Sequence, residues 1–209
     1  MIIIIGNQKG GAGKSTLTML LANYLTQVQE LALTVIDMDY QQSVSQKFEK
    51  AKILENDDPY EVVSGSLNEF PGMLEWIKKH PGEVVLIDLP GKLDDDGLIK
   101  VFKATDLAIC PFSYDEFSFE STIFFALVFQ KINPTAKILF VPNRIKANVK
   151  YEILTDVNEQ LSLLGIVTAP IPDRIDVQRT NTFQTPLSVN ALVRPVFQQI
   201  FQDHIRNNL

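Results

Sequence analysis

Directly after the apolar run Ile2 to Ile5, residues 6 to 16 read Gly6-Asn7-Gln8-Lys9-Gly10-Gly11-Ala12-Gly13-Lys14-Ser15-Thr16. An apolar strand, a glycine-rich turn and a helix in that order place a phosphate-binding loop at the start of the chain. The glycines let the backbone curl so that successive N–H groups point inward at an anion, and the following helix adds its positive N-terminal end. Lys14 supplies a point charge and Ser15 a hydroxyl for Mg²⁺. Such a loop is built for a nucleoside triphosphate.

The rest of the chain has the rhythm of a parallel α/β sheet, with continuous apolar strands as expected when helices cover both faces. Strands are predicted at 2–5, 33–37, 83–87, 106–110, 137–141 and 166–168. Helices are predicted at 14–28, 41–51, 66–79, 94–103, 116–132, 150–164 and 189–206. Segment 53–65 is the least patterned, with a small edge strand expected at Tyr60 to Val63. No repeat or Gly/Pro/Ser-rich linker divides the 209 residues, so one doubly wound, mostly parallel α/β domain over 1–209 is expected. The sequence begins at its first strand, and no helix-turn-helix extension is expected before it.

A strict G-x-x-x-x-G-K-[ST] pattern would need glycine at position 8, where the chain has Gln8. What stands instead, Lys9-Gly10-Gly11-Ala12-Gly13-Lys14-Ser15, resembles the deviant Walker A motif K-G-G-x-G-K-[ST] of the ParA/MinD family of ATPases. The resemblance implies ATP and Mg²⁺ as ligands, with Lys9, Gly10, Gly11, Ala12, Gly13, Lys14, Ser15 and Thr16 holding the nucleotide. It gives Lys9 a second part, as the signature lysine that reaches across a dimer interface to the partner's phosphates.

In open α/β sheets ligands sit at the carboxyl ends of the strands, so acids at those ends matter most. Val84-Val85-Leu86-Ile87-Asp88 looks like a Walker B strand whose carboxylate orders the Mg²⁺ shell. Val35-Ile36-Asp37-Met38-Asp39-Tyr40-Gln41-Gln42-Ser43 resembles the family stretch D-x-D-P-Q-x-S, with Tyr40 where proline is usual. There the resemblance gives Asp39 the attacking water and Asp37 the Mg²⁺ side of the site. The catalytic residues it implies are Lys9, Lys14 and Asp39, and the metal residues Ser15, Asp37 and Asp88. Asn143, in Pro142-Asn143-Arg144-Ile145-Lys146, and Pro172, in Pro170-Ile171-Pro172-Asp173-Arg174, match the two family segments that flank adenine. The first lacks the aspartate of the guanine-reading N/T-K-x-D motif, which favours ATP over GTP.

The net charge of −6 argues against a uniformly basic nucleic-acid binder, but it is unevenly spread. Residues 1–136 hold 11 Lys/Arg against 19 Asp/Glu, whereas 137–209 hold 8 against 6. All five arginines lie in the last third, which makes Arg174, Arg179, Arg194 and Arg206 candidate DNA-phosphate contacts. Surface ion pairs with Asp173, Asp176 and Asp203 are the plainer alternative for them. The single cysteine, Cys110, excludes an internal disulfide and a C-x-x-C metal or iron–sulfur site, and a buried strand position suits it. Phe117, Phe119, Phe124, Phe125 and Phe129 suit a core helix, although the family's dimer interface runs along neighbouring elements. Asp94-Asp95-Asp96 suits a helix N-terminus.

The resemblance therefore implies a ParA-type dimerisation switch: ATP-bound homodimer, non-specific DNA, and hydrolysis stimulated by a ParB-like activator, in plasmid, chromosome or mobile-element partition. A cytoplasmic place without a membrane partner is expected, since no apolar run reaches bilayer length. A MinD-like membrane-associated positioning ATPase shares every nucleotide motif. The terminal helix has one apolar face (Leu192, Val193, Val196, Phe197, Ile200, Phe201, Ile205) but only Arg194 and Arg206 as fixed positive charges, which suits a domain-closing helix better. A ligase of the dethiobiotin synthetase kind would share the sheet but lacks the Lys-Gly-Gly opening.

Overall fold

The computed structural model describes residues 1–52, 58–181 and 184–209. Seven strands form one sheet: β1 (Ile2–Ile5), β2 (Leu33–Asp37), β3 (Glu61–Ser64), β4 (Val84–Asp88), β5 (Leu107–Phe112), β6 (Lys137–Pro142) and β7 (Ile166–Val167). Their order is β3-β2-β4-β1-β5-β6-β7, and every pairing is parallel. The expected "mostly parallel" sheet is thus wholly parallel among the described residues.

Alternation along each strand sends side chains to two separate cores. Ile3, Ile5, Val35, Leu86, Ile109 and Val141 face one way, onto α1 (Lys14–Gln27) and α8 (Leu187–Ile200). Ile2, Ile4, Ile36, Val85, Ile87, Cys110 and Phe140 face the other, onto α3 (Phe70–Lys78), α4 (Gly97–Ala104), α5 (Glu116–Ile132) and α6 (Leu154–Ser162). Both faces being covered, β1, β2, β4 and β5 are buried from end to end. α2 (Ser43–Lys52) lies beside α1 over the β2–β3 edge, and a single turn, α7 (Ile175–Gln178), precedes α8.

The predicted elements are present, with shifts at their ends. The edge strand is Glu61–Ser64, and residues 53–57 lie outside the described residues. α4 begins at Gly97, later than expected, because the Asp95 Oδ1 accepts the Gly97 N–H at 2.8 Å and closes a turn first. α6 begins at Leu154 rather than 150, and α7 was not foreseen. The expected helix 189–206 becomes α8 followed by a π-helical turn at Phe201–Ile205 and a 3-10 turn at Arg206–Asn208. Val193, Val196, Phe197, Ile200 and Ile205 are buried on this segment, so its apolar face closes the core.

Strand register sets up the functional edge. Ile5 pairs with Asp88, and Asp88 with Asp37, so the last residues of β1, β4 and β2 form one row at the carboxyl end of the sheet. β1 lies where the strand order reverses, the position at which open α/β sheets leave a crevice for ligands.

Candidate nucleotide-binding site

The loop between β1 and α1 keeps its shape through glycine and through the β6 loop. Gly11 (φ +78°) and Gly13 (φ +91°) adopt left-handed backbone that L side chains rarely take. Gly13 is also the residue before α1, and a Cβ there would collide with the Asn143 side-chain amide. Asn143, itself buried, donates from Nδ2 to the Ala12 carbonyl at 2.9 Å, and Arg144 Nη1 donates to the Gly11 carbonyl at 3.1 Å. No side chain caps the start of α1. Its first N–H groups are left for a ligand, with the positive end of the helix behind them. They border a cleft of about 810 Å³ lined by Gln8, Gly13, Lys14, Ser15, Thr16 and Asp39, among others.

Lys14 is buried, with its amine 3.9 Å from Asp39 Oδ2. On its other side lies Gly91, just past β4, where a Cβ would stand 3.4 Å from Lys14 Nζ, an ordinary contact. Asp39 is carried by a tight turn in which its Oδ1 accepts the Gln41 N–H and its carbonyl the Gln42 N–H, both at 2.9 Å. Tyr40, in the proline position, leaves this turn intact and projects into solvent, 73% exposed.

The two buried aspartates of the strand-end row are used differently. Asp37 Oδ2 accepts the N–H groups of Val44 (3.0 Å) and Ser45 (2.9 Å), and Oδ1 that of Asp39 (3.2 Å). The expected place of Asp37 on the metal side is not where these bonds run: they fasten the Asp39 turn and the start of α2. Asp88 accepts only a long 3.4 Å bond from Thr18 on Oδ1 together with the Ser15 hydroxyl, while its buried Oδ2 has no partner. Burial pushes the Asp88 carboxyl up to about 7, the Ser15 hydroxyl and Lys14 holding it back and the charges of Asp37 and Asp39 adding to the rise. Among the described residues no cluster of three or more His, Cys, Asp or Glu forms a metal cage. A hydroxyl beside an under-bonded carboxylate is instead the donor set of a cation that keeps waters and takes phosphate oxygens, which fits Mg²⁺.

Lys9 lies outside this cleft. Its amine makes a two-pronged ion pair with Asp115, at 2.6 and 2.9 Å, in a separate hollow of about 480 Å³. Asn143, Arg144, Lys146, Tyr151 and Asp173 line the far side of that hollow. A parallel bridge between Ile145 and Pro172 brings the β6 and β7 loops together beside it; Asn143 lines the hollow, and Pro172 lies in that bridge.

The four candidate DNA arginines are exposed but do not gather in one spot. Arg174 and Arg179 bracket α7 at the carboxyl edge of the sheet, and Arg179 sits 3.6 Å from Asp176. Arg206 lies beyond α8, whose 14 residues span about 21 Å, with neighbouring His204 near Lys137 at the opposite edge. Arg194 lies midway, close enough to Tyr24 to act on its phenol.

Three participants escaped sequence reasoning. Lys47 on α2 lines the cleft and donates to the Thr180 carbonyl at 3.0 Å, and burial lowers its pKa. No sequence signal marks it. Gly91 carries no signal beyond its place after the Walker B strand. Asp115 could have been found as an N-cap before an apolar helix.

A family model described as the CobQ/CobB/MinD/ParA nucleotide binding domain matches residues 3–187. The chain belongs to this family. No curated protein matches it. In solved structures, a Borrelia burgdorferi B31 chain described as a plasmid partition protein, bound to AMPPNP, is 20% identical with a TM-score of 0.75, over 97% of this chain and 98% of that one. The MinD cell division protein of Aquifex aeolicus is 18% identical with a TM-score of 0.71, over 99% and 95%. The ParA of pNOB8 bound to nonspecific DNA is 17% identical with a TM-score of 0.64, over 98% and 97%. These likenesses show the fold. As a member of the family this chain is a nucleotide-binding one, and among its described residues no helix is long and apolar enough to cross a membrane.

Proposed function

We propose that this chain is a Mg²⁺-dependent ATPase of the ParA type, a single nucleotide-binding domain that acts as a dimerisation switch. It binds ATP, pairs with a second copy, binds DNA without sequence preference as that dimer, and is reset by slow hydrolysis that a ParB-like activator stimulates. Its place is the cytoplasm, on the nucleoid when ATP-bound, and its setting the partition of a plasmid, chromosome or mobile element. The observation that carries this reading is the division of labour between two lysines of one loop. Lys14 is buried beside Asp39 in the cleft, whereas Lys9 rests half-exposed outside it. A loop that serves only its own nucleotide has no use for the second amine. Structures of relatives bound to AMPPNP and to nonspecific DNA support the nucleotide and the DNA parts.

On this reading Lys14 and the first N–H groups of α1 bind the phosphates, and the Asp39 carboxylate orients the attacking water and takes up its proton. Asp37 holds the Asp39 turn. Ser15 and Asp88 are the residues that would hold Mg²⁺, which when bound supplies charge neutralisation at the phosphate oxygens. Asn143 and Pro172 flank the adenine.

Light scattering with ADP, ATP and a non-hydrolysable analogue tests the switch. Lys9→Ala should bind ATP yet stay monomeric, and Asp39→Ala should stay dimeric after ATP addition with hydrolysis lost. A Lys9→Ala chain that dimerises as well as wild type refutes the cross-subunit part of the reading.

A further inference from the structure

We infer that Asp115 is a positioning residue that holds Lys9 against its own subunit and so sets how readily the chain pairs with a second copy. This rests on the dimer reading above. Both ends of Lys9 are fastened to the β5–α5 corner. Its amine is gripped by both Asp115 oxygens, and its backbone N–H donates to Asn7 Oδ1 at 2.9 Å. Asn7 is buried and donates in turn to the Pro111 carbonyl (2.8 Å) and to Thr122 Oγ1 (2.9 Å).

Asp115 cannot follow the lysine outward. As the residue before α5 it accepts the Ser118 N–H at 2.9 Å, and the Ser113 hydroxyl at 2.5 Å. Burial raises its carboxyl, but the bonds from Lys9, Ser113 and Ser118 outweigh this and keep it below the usual carboxylate range. A Lys9 that crosses to a partner's phosphates therefore leaves Asp115 behind, and a dimer gives up two such pairs. With side chains 30% and 44% exposed, the pair is weak enough to be given up, so it works as a graded threshold and not as a lock.

The decisive variant is Asp115→Asn, because asparagine caps a helix as well as aspartate but carries no charge and leaves at most a neutral hydrogen bond to the ammonium. Asp115→Ser, also a good cap, serves if the first fails to fold. In the ADP-bound monomer, acylation of Lys9 read by peptide mass spectrometry should run several-fold faster in the variant, with Lys78, paired to Glu75 on the surface, as the unchanged reference. With a non-hydrolysable ATP analogue the dimer should form about two- to thirty-fold more tightly, the range expected for release from two half-exposed pairs. In a Lys9→Ala background the same change should leave self-association where Lys9→Ala alone puts it, which a merely structural role of Asp115 would not do. Equal acylation rates, an unchanged or weaker dimer, or the same tightening without Lys9 would each overturn the inference. A wild-type chain that stays monomeric with the analogue refutes the dimer reading instead, and the acylation ratio at Lys9 then judges the hold on its own.

Discussion

Replacing Asp88 by asparagine should stabilise the nucleotide-free protein, and more so as the pH rises. Asp88 is wholly buried, and its carboxyl titrates at about 7 in the fold against 3.8 in an unfolded chain. Between those two values the unfolded chain has lost the proton and the folded one keeps it, so stability falls with rising pH. The stabilising preference for the protonated form is fully present below about pH 4 and is lost as the pH passes 7. Three units at about 1.4 kcal/mol each make this about 4 kcal/mol, of which more than half is lost between pH 5 and pH 8. Asparagine does not titrate, so that part of the pH dependence disappears. Thermal unfolding followed by circular dichroism, in EDTA and without nucleotide, should show the variant gaining on wild type by about 5–10 °C in Tm between pH 5 and pH 8. With ATP and Mg²⁺ the order should reverse, because the variant loses the metal's part of the ligand stabilisation. A difference in Tm that stays flat across that pH range would refute the argument.

Lys14→Ala should lower ATP affinity at least tenfold in calorimetry, since charge-assisted hydrogen bonds to phosphate are worth about 1.5–3 kcal/mol each; unchanged binding would remove the loop from the site. The arginines at the two edges of the sheet should behave unequally. If DNA lies along the carboxyl edge, Arg174→Ala should lower the salt slope of dimer binding to random-sequence DNA by about two units, at about 0.9 per phosphate contact in each subunit, and Arg206→Ala should not. Gel shifts across a salt series check this, and equal effects at both positions would overturn it.

The strands and the loop could be read from sequence because their causes are local. Ile2 to Ile5 is apolar throughout since two cores need it, and Gly11 and Gly13 stand where the backbone turns left-handed. What joins distant segments could not be read from the residues themselves, and only the resemblance had set Asp37 and Asp88 on one metal site. Nothing near Asp37 in sequence shows that β4 lies between β2 and β1, yet that register puts Asp37 and Asp88 side by side. The same holds for Lys9 and Asp115, which stand 106 residues apart in the chain. The arginine cluster is a counter-example in the other direction. Sequence density in the last third suggested one surface, but Arg194 on α8 and Arg206 beyond its end lie away from the edge where Arg174 and Arg179 lie. Proximity in sequence along a helix of this length is distance in space.

The two aspartates of the strand-end row show how the chain separates structure from chemistry. Both are fully buried one strand apart, and each pays a desolvation cost that a buried carboxylate recovers only through hydrogen bonds. Asp37 recovers it from three backbone N–H groups, and in doing so fixes the turn that bears Asp39 and the first turn of α2. Asp88 does not recover it, for one oxygen has no partner and the other only a long bond from Thr18, with the Ser15 hydroxyl close enough to hold its pKa back. No fold gains from leaving a carboxylate short in this way. Local rules are broken where function asks for it, and here the breach lies beside Ser15 and next to the buried amine of Lys14. Of the two, the satisfied aspartate is the frame, and under the proposed function the unsatisfied one is the residue that would hold a cation.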